Sequence, residues 1–167
     1  MFSALQYFSW AKIGRPYMGV GRNLAYKKDE FFKVNGFIDH MKIRSGDDDL
    51  FINQASNKEN TTICIEPISF TYSDAKTSFS EWFNQKRRHI STAKYYKGFD
   101  QFKLGLFYLT QLFTIILGIL LLVLNHEIIL VVSLITFRYL IAWTSLGFSA
   151  SKLKEHDVMY FYPFIEL

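Results

Sequence analysis

The chain has 167 residues, a formal net charge of +4 and a single cysteine, Cys64. Its length suits one domain with a sizeable core. One cysteine excludes an internal disulfide, so Cys64 is expected to be a core thiol in a reducing compartment. Residues 1–103 carry 16 Lys and Arg against 11 Asp and Glu, whereas residues 104–151 carry only Glu127 and Arg138 as charges. A polar section is therefore followed by a membrane section.

The first eleven residues are not a signal peptide, because they lack a basic n-region and a small-residue cleavage site. Their apolar residues have helical spacing, and a loop with Gly14, Gly19 and Gly21 leads from them into a short apolar strand. This loop lacks the glycine pattern of a dinucleotide site and the Gly-Lys-Ser/Thr of a Walker loop. Residues 29–34 are predicted to form a short helix that Asn35 and Gly36 close.

An acid cluster, defined as Asp47, Asp48 and Asp49, directly precedes an apolar helix predicted over residues 47–56. Like charges this close repel one another unless a cation, a metal or a substrate lies nearby. The simpler interpretation is a helix N-terminus with Asp47 as its N-cap, because acids in the first turn suit the helix dipole.

The residues that follow alternate between apolar and polar, which is the pattern of strands interrupted by Pro67. The apolar positions are Ile63, Ile65, Ile68, Phe70 and Tyr72.

A capping box, Ser78-x-x-Glu81, begins the next helix. One face of this helix is apolar and is formed by Phe79, Trp82, Phe83, Ile90 and Ala93. Gln85, Arg88 and His89, spaced i, i+3 and i+4, form a polar arc beside it, and further Lys and Arg residues surround this arc. Without any catalytic role, such a basic amphipathic helix is an interfacial helix bound to anionic lipid headgroups.

Two membrane spans are predicted, over residues 104–124 and 128–148, with a tight connection at 125–127. Basic residues lie before the first span and after the second, so residues 1–103 are expected to be cytoplasmic in a multi-pass protein of the inner membrane. Arg138 should snorkel, face a polar partner or face another helix, which could lie outside this sequence. Residues 152–167 are a tail, or the start of a further apolar segment at 158–165.

Taken in this order, the motifs resemble the C-terminal half of a membrane-bound family 2 glycosyltransferase, the group of cellulose and hyaluronan synthases. Residues 19–26 (GVGRNLAY) look like the acceptor-side strand of that family, and residues 34–37 (VNGF) like its GGF motif. Residues 46–48 (GDD) look like its ED motif, and residues 85–89 (QKRRH) like its QxxRW motif.

The resemblance implies an α/β, GT-A-like acceptor-side domain over residues 1–75, an amphipathic interfacial helix over 76–103 and a transmembrane hairpin over 104–151. It also implies inverting hexosyl transfer from a nucleotide-sugar donor to a glycan or lipid-linked acceptor, as in synthesis of cell-envelope polysaccharide. Asp48 is the implied general base, and Asp47 tunes or orients it. Gln85 and Arg88 bind the donor diphosphate.

Acceptor contacts are implied for Gly21, Arg22 and His89. His89 replaces the tryptophan of the family motif and offers less stacking surface. The N-terminal half of the family carries an Asp-x-Asp that holds a divalent metal, Mg²⁺ or Mn²⁺. No such metal ligands are present here besides the acid cluster, so the chain is expected to be a fragment that is inactive without a donor-binding half.

Two other functions were compared with this one. A non-catalytic, membrane-anchored interaction module explains the hairpin and the basic helix, but it gives no reason for Gln85, Arg88 and His89 to share an arc. Nucleic-acid binding is disfavoured, because the basic run is short and lies next to a membrane span.

Overall fold

A computed structural model describes residues 2–43, 45–74, 76–157 and 159–160. The α-helices in this part of the chain are Phe2–Lys12 (α1), Lys28–Lys33 (α2), Asp49–Ala55 (α3), Phe79–Thr92 (α4), Gly98–Val123 (α5) and Ile128–Lys152 (α6). The chain divides into two compact units, one formed by residues 6–101 and one by the described residues among 1–5 and 102–167. The predicted start of a further apolar segment at 158–165 lies outside the described residues, apart from Met159 and Tyr160.

The expectation of an α/β, GT-A-like domain is wrong: the described residues contain helices and irregular segments but no strand. Residues 61–66 do alternate, with Thr61, Ile63 and Ile65 half-buried and the intervening side chains exposed. A strand also needs a neighbour to complete its backbone hydrogen bonds, and no such ladder forms here. Pro67–Ser69 is a 3₁₀ turn instead, and it leaves Ile68 93% exposed.

The glycine-rich loop also lacks the predicted strand. Gly21–Asn23 forms a 3₁₀ turn between Val20 and Leu24, both of which have extended backbone. The expectation that Cys64 is a core thiol is wrong as well, because Cys64 lies on the outward side of the alternating segment and is exposed.

The core of the 6–101 unit is aromatic and is centred on Phe51 of α3, which is 1% exposed. Ring centroids of Tyr26, Phe31 and Phe37 lie 4.5 Å, 5.8 Å and 6.1 Å from that of Phe51. The predicted short helix is confirmed as α2, which supplies Phe31 to this cluster. Aromatic pairs at such distances add to the free energy gained by burying their area, so this cluster fixes which face of α3 points inward.

Helix α5, which begins in the 6–101 unit and continues in the other, and helix α6 of the other unit are 26 and 25 residues long, and both are long and apolar enough to cross a membrane. Only 6% of the most apolar stretch of each is buried, which differs from a core helix of a soluble protein. The connection between them is tight, since Asn125 and Glu127 adopt left-handed backbone with φ of 53° and 45°. Both predicted spans are confirmed as helices, although α5 begins at Gly98 and α6 continues to Lys152.

Arg138 interrupts the apolar surface of α6 and donates a hydrogen bond from Nη2 to the side-chain oxygen of Gln111 in α5. A guanidinium is costly in an apolar medium unless polar groups solvate it. Of the alternatives expected for Arg138, a polar partner is the one observed, and this partner lies on another helix.

Gly46, directly before the acid cluster, has a backbone conformation that only glycine adopts readily, with φ of +102°. A Cβ there lies 2.4 Å from Cδ1 of buried Leu50. We therefore expect Gly46→Ala to lower the free energy of unfolding of the 6–101 unit by about 1–3 kcal/mol. Chemical denaturation in detergent micelles, followed by the fluorescence of Trp10 and Trp82, measures this change.

Gly98→Ala is the matched control, because a Cβ at Gly98 meets nothing within 4 Å. Its effect should stay within about 0.5 kcal/mol. Equal unfolding midpoints for the two variants would contradict the structural role of Gly46.

Candidate functional site

Asp48 is the N-cap of α3, and its carboxylate joins the acid cluster to the glycine-rich loop. Oδ1 accepts a hydrogen bond from the backbone N–H of Asp49 at 2.8 Å, and Oδ2 accepts one from the backbone N–H of Gly21 at 2.7 Å. A Cβ at Gly21 would lie 3.2 Å from Oδ2, so glycine permits this close approach. The cap predicted at Asp47 is therefore one residue further along, and Asp47 is exposed.

Arg22 is held by the irregular segment at residues 69–73. Its Nη1 donates to the hydroxyl of Ser73 at 2.5 Å, and its carbonyl accepts from the hydroxyl of Thr71 at 3.1 Å. Asn23 next to it donates from its side chain to the carbonyl of Ser69 at 2.8 Å. Hydrogen bonds that involve side chains thus hold the glycine-rich loop against residues 69–73, where the sequence predicted a strand.

Helix α4 begins as the capping box predicts, because the hydroxyl of Ser78 accepts from the N–H of Glu81 at 3.2 Å. Its aromatic face is not covered by the 6–101 unit: Phe79 is 76% exposed, and Trp82 and Phe83 pack against it and are also exposed. The amphipathic helix expected from the sequence therefore presents its apolar side outward.

On α4, Gln85 is half-buried, whereas Arg88 and His89 are exposed. Between the Asp48 carboxylate and these three side chains, all in the described part of the chain, there is no hydrogen bond or ion pair. Since successive residues of an α-helix are rotated by about 100°, Gln85, Arg88 and Thr92 lie within an arc of about 60°. We call Gln85, Arg88 and Thr92 the α4 stripe.

Thr92, at the end of the α4 stripe, connects α4 to the acid cluster through Asp49. Oδ2 of Asp49 accepts from the hydroxyl of Thr92 at 2.5 Å and from the hydroxyl of Tyr96 at 2.7 Å. All three residues are buried, Asp49 to 3% exposure. Burial, and then the neighbouring Asp49 carboxylate, raise the pKa of Tyr96 far above its usual range, so its hydroxyl remains a donor.

The hydroxyl of Thr92 also lies 2.7 Å from the carbonyl of His89, although it has one hydrogen to donate. A hydrogen bond to a carboxylate is stronger than one to a neutral carbonyl, so Asp49 is the preferred acceptor. The structure thus assigns the contact between the acid cluster and α4 to Asp49, which the sequence analysis did not single out.

Asn53, one turn after Asp49, ties α3 to the start of α5 within the 6–101 unit. Its side-chain nitrogen donates to the carbonyl of Tyr17 at 3.0 Å and to Oδ2 of Asp100 at 2.9 Å. Its side-chain oxygen accepts from the N–H of Lys97 at 2.8 Å. This buried amide was also missed, since Asn in a short helix has no sequence signal that distinguishes it from a solvent-exposed residue.

Among the described residues, no group of three His, Cys, Asp or Glu side chains is arranged to hold a metal ion. The acid cluster does not fit a divalent cation, because its carboxylates do not share one environment: Asp47 is exposed, Asp48 contacts two backbone N–H groups and Asp49 contacts two hydroxyls. Comparison with protein-family models, curated proteins and solved structures finds no match to this chain. The site must therefore be interpreted from its own residues.

Replacing Asn53 by Asp removes two N–H donors and places a second carboxylate in contact with Asp100. We expect the free energy of unfolding at pH 7 to fall by about 2–4 kcal/mol. Mutual repulsion raises one carboxyl pKa in the folded state above its unfolded value of about 4. The loss should therefore be greatest near neutral pH and shrink as the pH falls toward 5, measured by chemical denaturation at each pH.

Asn57→Asp is the matched control. Asn57 is exposed, and its side-chain oxygen accepts hydrogen bonds from the N–H groups of Glu59 and Asn60. A carboxylate preserves both bonds, so this variant should match the parent at every pH. A pH-independent loss in Asn53→Asp would show that the new carboxylate does not face Asp100.

Proposed function

We propose that the chain is the acceptor-side, membrane-anchoring part of an inverting glycosyltransferase, which transfers a sugar from a nucleotide-sugar to an acceptor hydroxyl. The observation that carries the proposal is the hydrogen bond between Thr92 and Asp49. This bond attaches the end of α4 to α3, whose N-cap is Asp48, and Thr92 shares a face of α4 with Gln85 and Arg88. If these groups line one cleft, a carboxylate suits proton removal on one side, and an amide and a guanidinium suit departure of a diphosphate on the other.

In the proposed reaction, Asp48 takes the proton of the acceptor hydroxyl while the oxygen forms a bond to the anomeric carbon. The bond between that carbon and the diphosphate oxygen breaks on the opposite face, and its electron pair leaves with the nucleoside diphosphate. Each carboxylate oxygen of Asp48 accepts one backbone N–H, which leaves lone pairs for the proton. Arg88 can grip two phosphate oxygens, with Gln85 beside it.

Asp47 is proposed to tune or orient the Asp48 carboxylate from its exposed position. Contacts with the acceptor are proposed for Gly21, Arg22 and His89. The nucleotide and a divalent metal, Mg²⁺ or Mn²⁺, are assigned to a donor-binding segment outside these 167 residues. This assignment rests on the acid cluster being the only Asp-x-Asp in the sequence and not fitting a metal. The chain on its own is then expected to transfer no sugar.

We place this reaction at the cytoplasmic face of the cell membrane. The uncovered aromatic face of α4, with Lys and Arg around it, suits the lipid headgroup region. The two long apolar helices that follow suit a hairpin through the bilayer, and the excess of Lys and Arg outside it suits cytoplasmic ends.

A second candidate is a non-catalytic membrane-anchored module. The observation that favours it is the capping role of Asp48, whose carboxylate already satisfies two backbone N–H groups without any substrate. In that case the basic residues of α4 bind lipid phosphates and nothing else.

Asp48→Asn should separate the two candidates, because asparagine keeps one side-chain oxygen to accept the N–H of Asp49 at the start of α3, gives up the acceptor for Gly21, and cannot act as a base. We expect sugar transfer to fall by about 10²–10⁴-fold, with membrane insertion unchanged. The assay uses membrane vesicles from cells expressing the full gene product, a panel of UDP-, GDP- and dTDP-sugars radiolabelled in the sugar, and alkaline extraction to test insertion.

Glu59→Gln, which changes an exposed carboxylate in a turn, is the control and should retain transfer. Unchanged transfer by Asp48→Asn would remove Asp48 as the base. Transfer by the isolated 167-residue chain would show that the donor site is not separate.

Arg88→Gln and Arg87→Gln remove the same charge from adjacent positions of α4. Arg88 lies about 40° from Thr92 around the helix, whereas Arg87 lies about 140° away. We expect the KM for the donor to rise on the order of tenfold to a hundredfold in Arg88→Gln and to stay near the parent value in Arg87→Gln.

Binding of both variants to liposomes containing anionic phospholipid provides the comparison. The lipid-binding module predicts that the two substitutions weaken liposome binding equally and that no donor-dependent difference separates them. An equal rise in donor KM for both variants would also contradict a specific contact at Arg88.

A further inference from the structure

Asp49 is the most buried carboxylate among the described residues, and the proposed reaction does not use it. Oδ2 accepts from the hydroxyls of Thr92 and Tyr96, and Oδ1 accepts from the N–H of Leu50 at 2.9 Å. A carboxylate is costly to bury unless hydrogen bonds compensate for its lost hydration. These three donors supply that compensation. Moving either hydroxyl away would leave the desolvation of the Asp49 carboxylate only partly compensated.

Both side-chain donors come from one place in the chain. Thr92 is the last residue of α4, and Tyr96 directly follows the 3₁₀ turn Ala93–Tyr95 with extended backbone. The carboxylate therefore holds the last residue of α4 and the residue that follows the next turn, two points four residues apart. Two anchors on a short segment restrict rotation of the helix about its own axis, whereas one would leave that rotation free.

We propose that Asp49 is a positioning residue that sets the rotation and direction of α4 and thereby aims Gln85 and Arg88 at the space beside Asp48. The inference rests on the proposed function for its catalytic consequence, although the positioning of α4 is testable by itself. Asp49 has no role of its own in the proposed reaction. It acts through Thr92, which lies in the same stripe as Gln85 and Arg88.

The geometry favours positioning over simple stabilisation. Asp48 already caps α3, so α3 does not need a second acid for its N-terminus. Apolar side chains of similar volume fill a buried site at less cost in desolvation than a carboxylate and two hydroxyls. Unlike apolar contacts, hydrogen bonds to a carboxylate depend on direction, which is the property that aiming a helix requires.

The test compares Thr92→Val with Thr92→Ser. Valine keeps the shape of threonine but removes the donor to Asp49, whereas serine keeps the hydroxyl. Asp49→Asn is a third variant, which retains one oxygen acceptor but loses the charge. The comparison remains decisive even if Asp49→Asn does not fold, because the two Thr92 variants alter the same bond from its other end.

The first measurement is the distance distribution between spin labels on α4 and on the turn after α3. Labels at Asn84 and Glu59, both exposed, are introduced in a Cys64→Ser background so that no other thiol reacts. We expect one narrow distribution in the parent and in Thr92→Ser, and a broadened or shifted one in Thr92→Val. An unchanged distribution in Thr92→Val overturns the proposal.

The second measurement is the donor KM and kcat of the full gene product in membrane vesicles. A misdirected stripe should raise the donor KM on the order of tenfold or more in Thr92→Val, with a smaller change in kcat, and Thr92→Ser should restore it. A lower unfolding midpoint with unchanged KM means a merely structural role and overturns the proposal.

The two measurements distinguish failure of this inference from failure of the proposed function. If Asp48→Asn retains transfer, the reaction assigned here is wrong, and the label distances alone still decide whether Asp49 orients α4. If Asp48→Asn abolishes transfer but Thr92→Val changes neither distances nor KM, the function stands and the positioning role is wrong.

Discussion

The carboxylate of Asp49 is buried, and the rest of the 6–101 unit must supply hydrogen-bond donors to it. Its hydration is lost on folding, and two hydroxyls and one backbone N–H replace it. One hydroxyl belongs to the last residue of α4 and the other lies four residues later, so the carboxylate attaches this end of α4 to α3, the helix that also carries Phe51 of the aromatic core. Hydrogen bonds to one buried side chain therefore attach the basic helix to α3, and among the described residues no salt bridge between the two helices adds to them.

The three aspartates of the acid cluster show how one helix start gives identical residues different environments. Asp47 is exposed, Asp48 caps the helix and contacts Gly21, and Asp49 is buried. The burial of Leu50 and Phe51 fixes which side of α3 faces the core. If the helix began one residue earlier or later, each of the three aspartates would have a different environment. Capping preference alone accepts either Asp47 or Asp48, so the sequence predicted the helix but placed its cap one residue early.

Elements whose signal is local were predictable, and those that depend on distant partners were not. Helices α2, α4, α5 and α6 follow from capping residues and apolar periodicity within their own segments. The predicted alternation was real only at residues 61–66, and alternation describes exposure and does not supply a pairing strand. For the same reason Thr92 and Tyr96 were missed, because their sequence positions do not show that folding brings the Asp49 carboxylate to their hydroxyls.

The two faces of α4 explain why membrane binding and a catalytic site need not compete for it. Around the helix, the stripe that ends at Thr92 is centred about 140° from the centre of the aromatic residues Phe79, Trp82 and Phe83. If the aromatic face lies in a lipid surface, the stripe points away from the lipid. Asp49 binds Thr92 on that side of the helix. The end of α4 at Thr92 holds this orientation through Asp49, so the lipid side and the acid-cluster side are fixed together. In the proposed reaction, Arg88 on the stripe binds the donor diphosphate, whereas the proposed lipid contact uses the aromatic face.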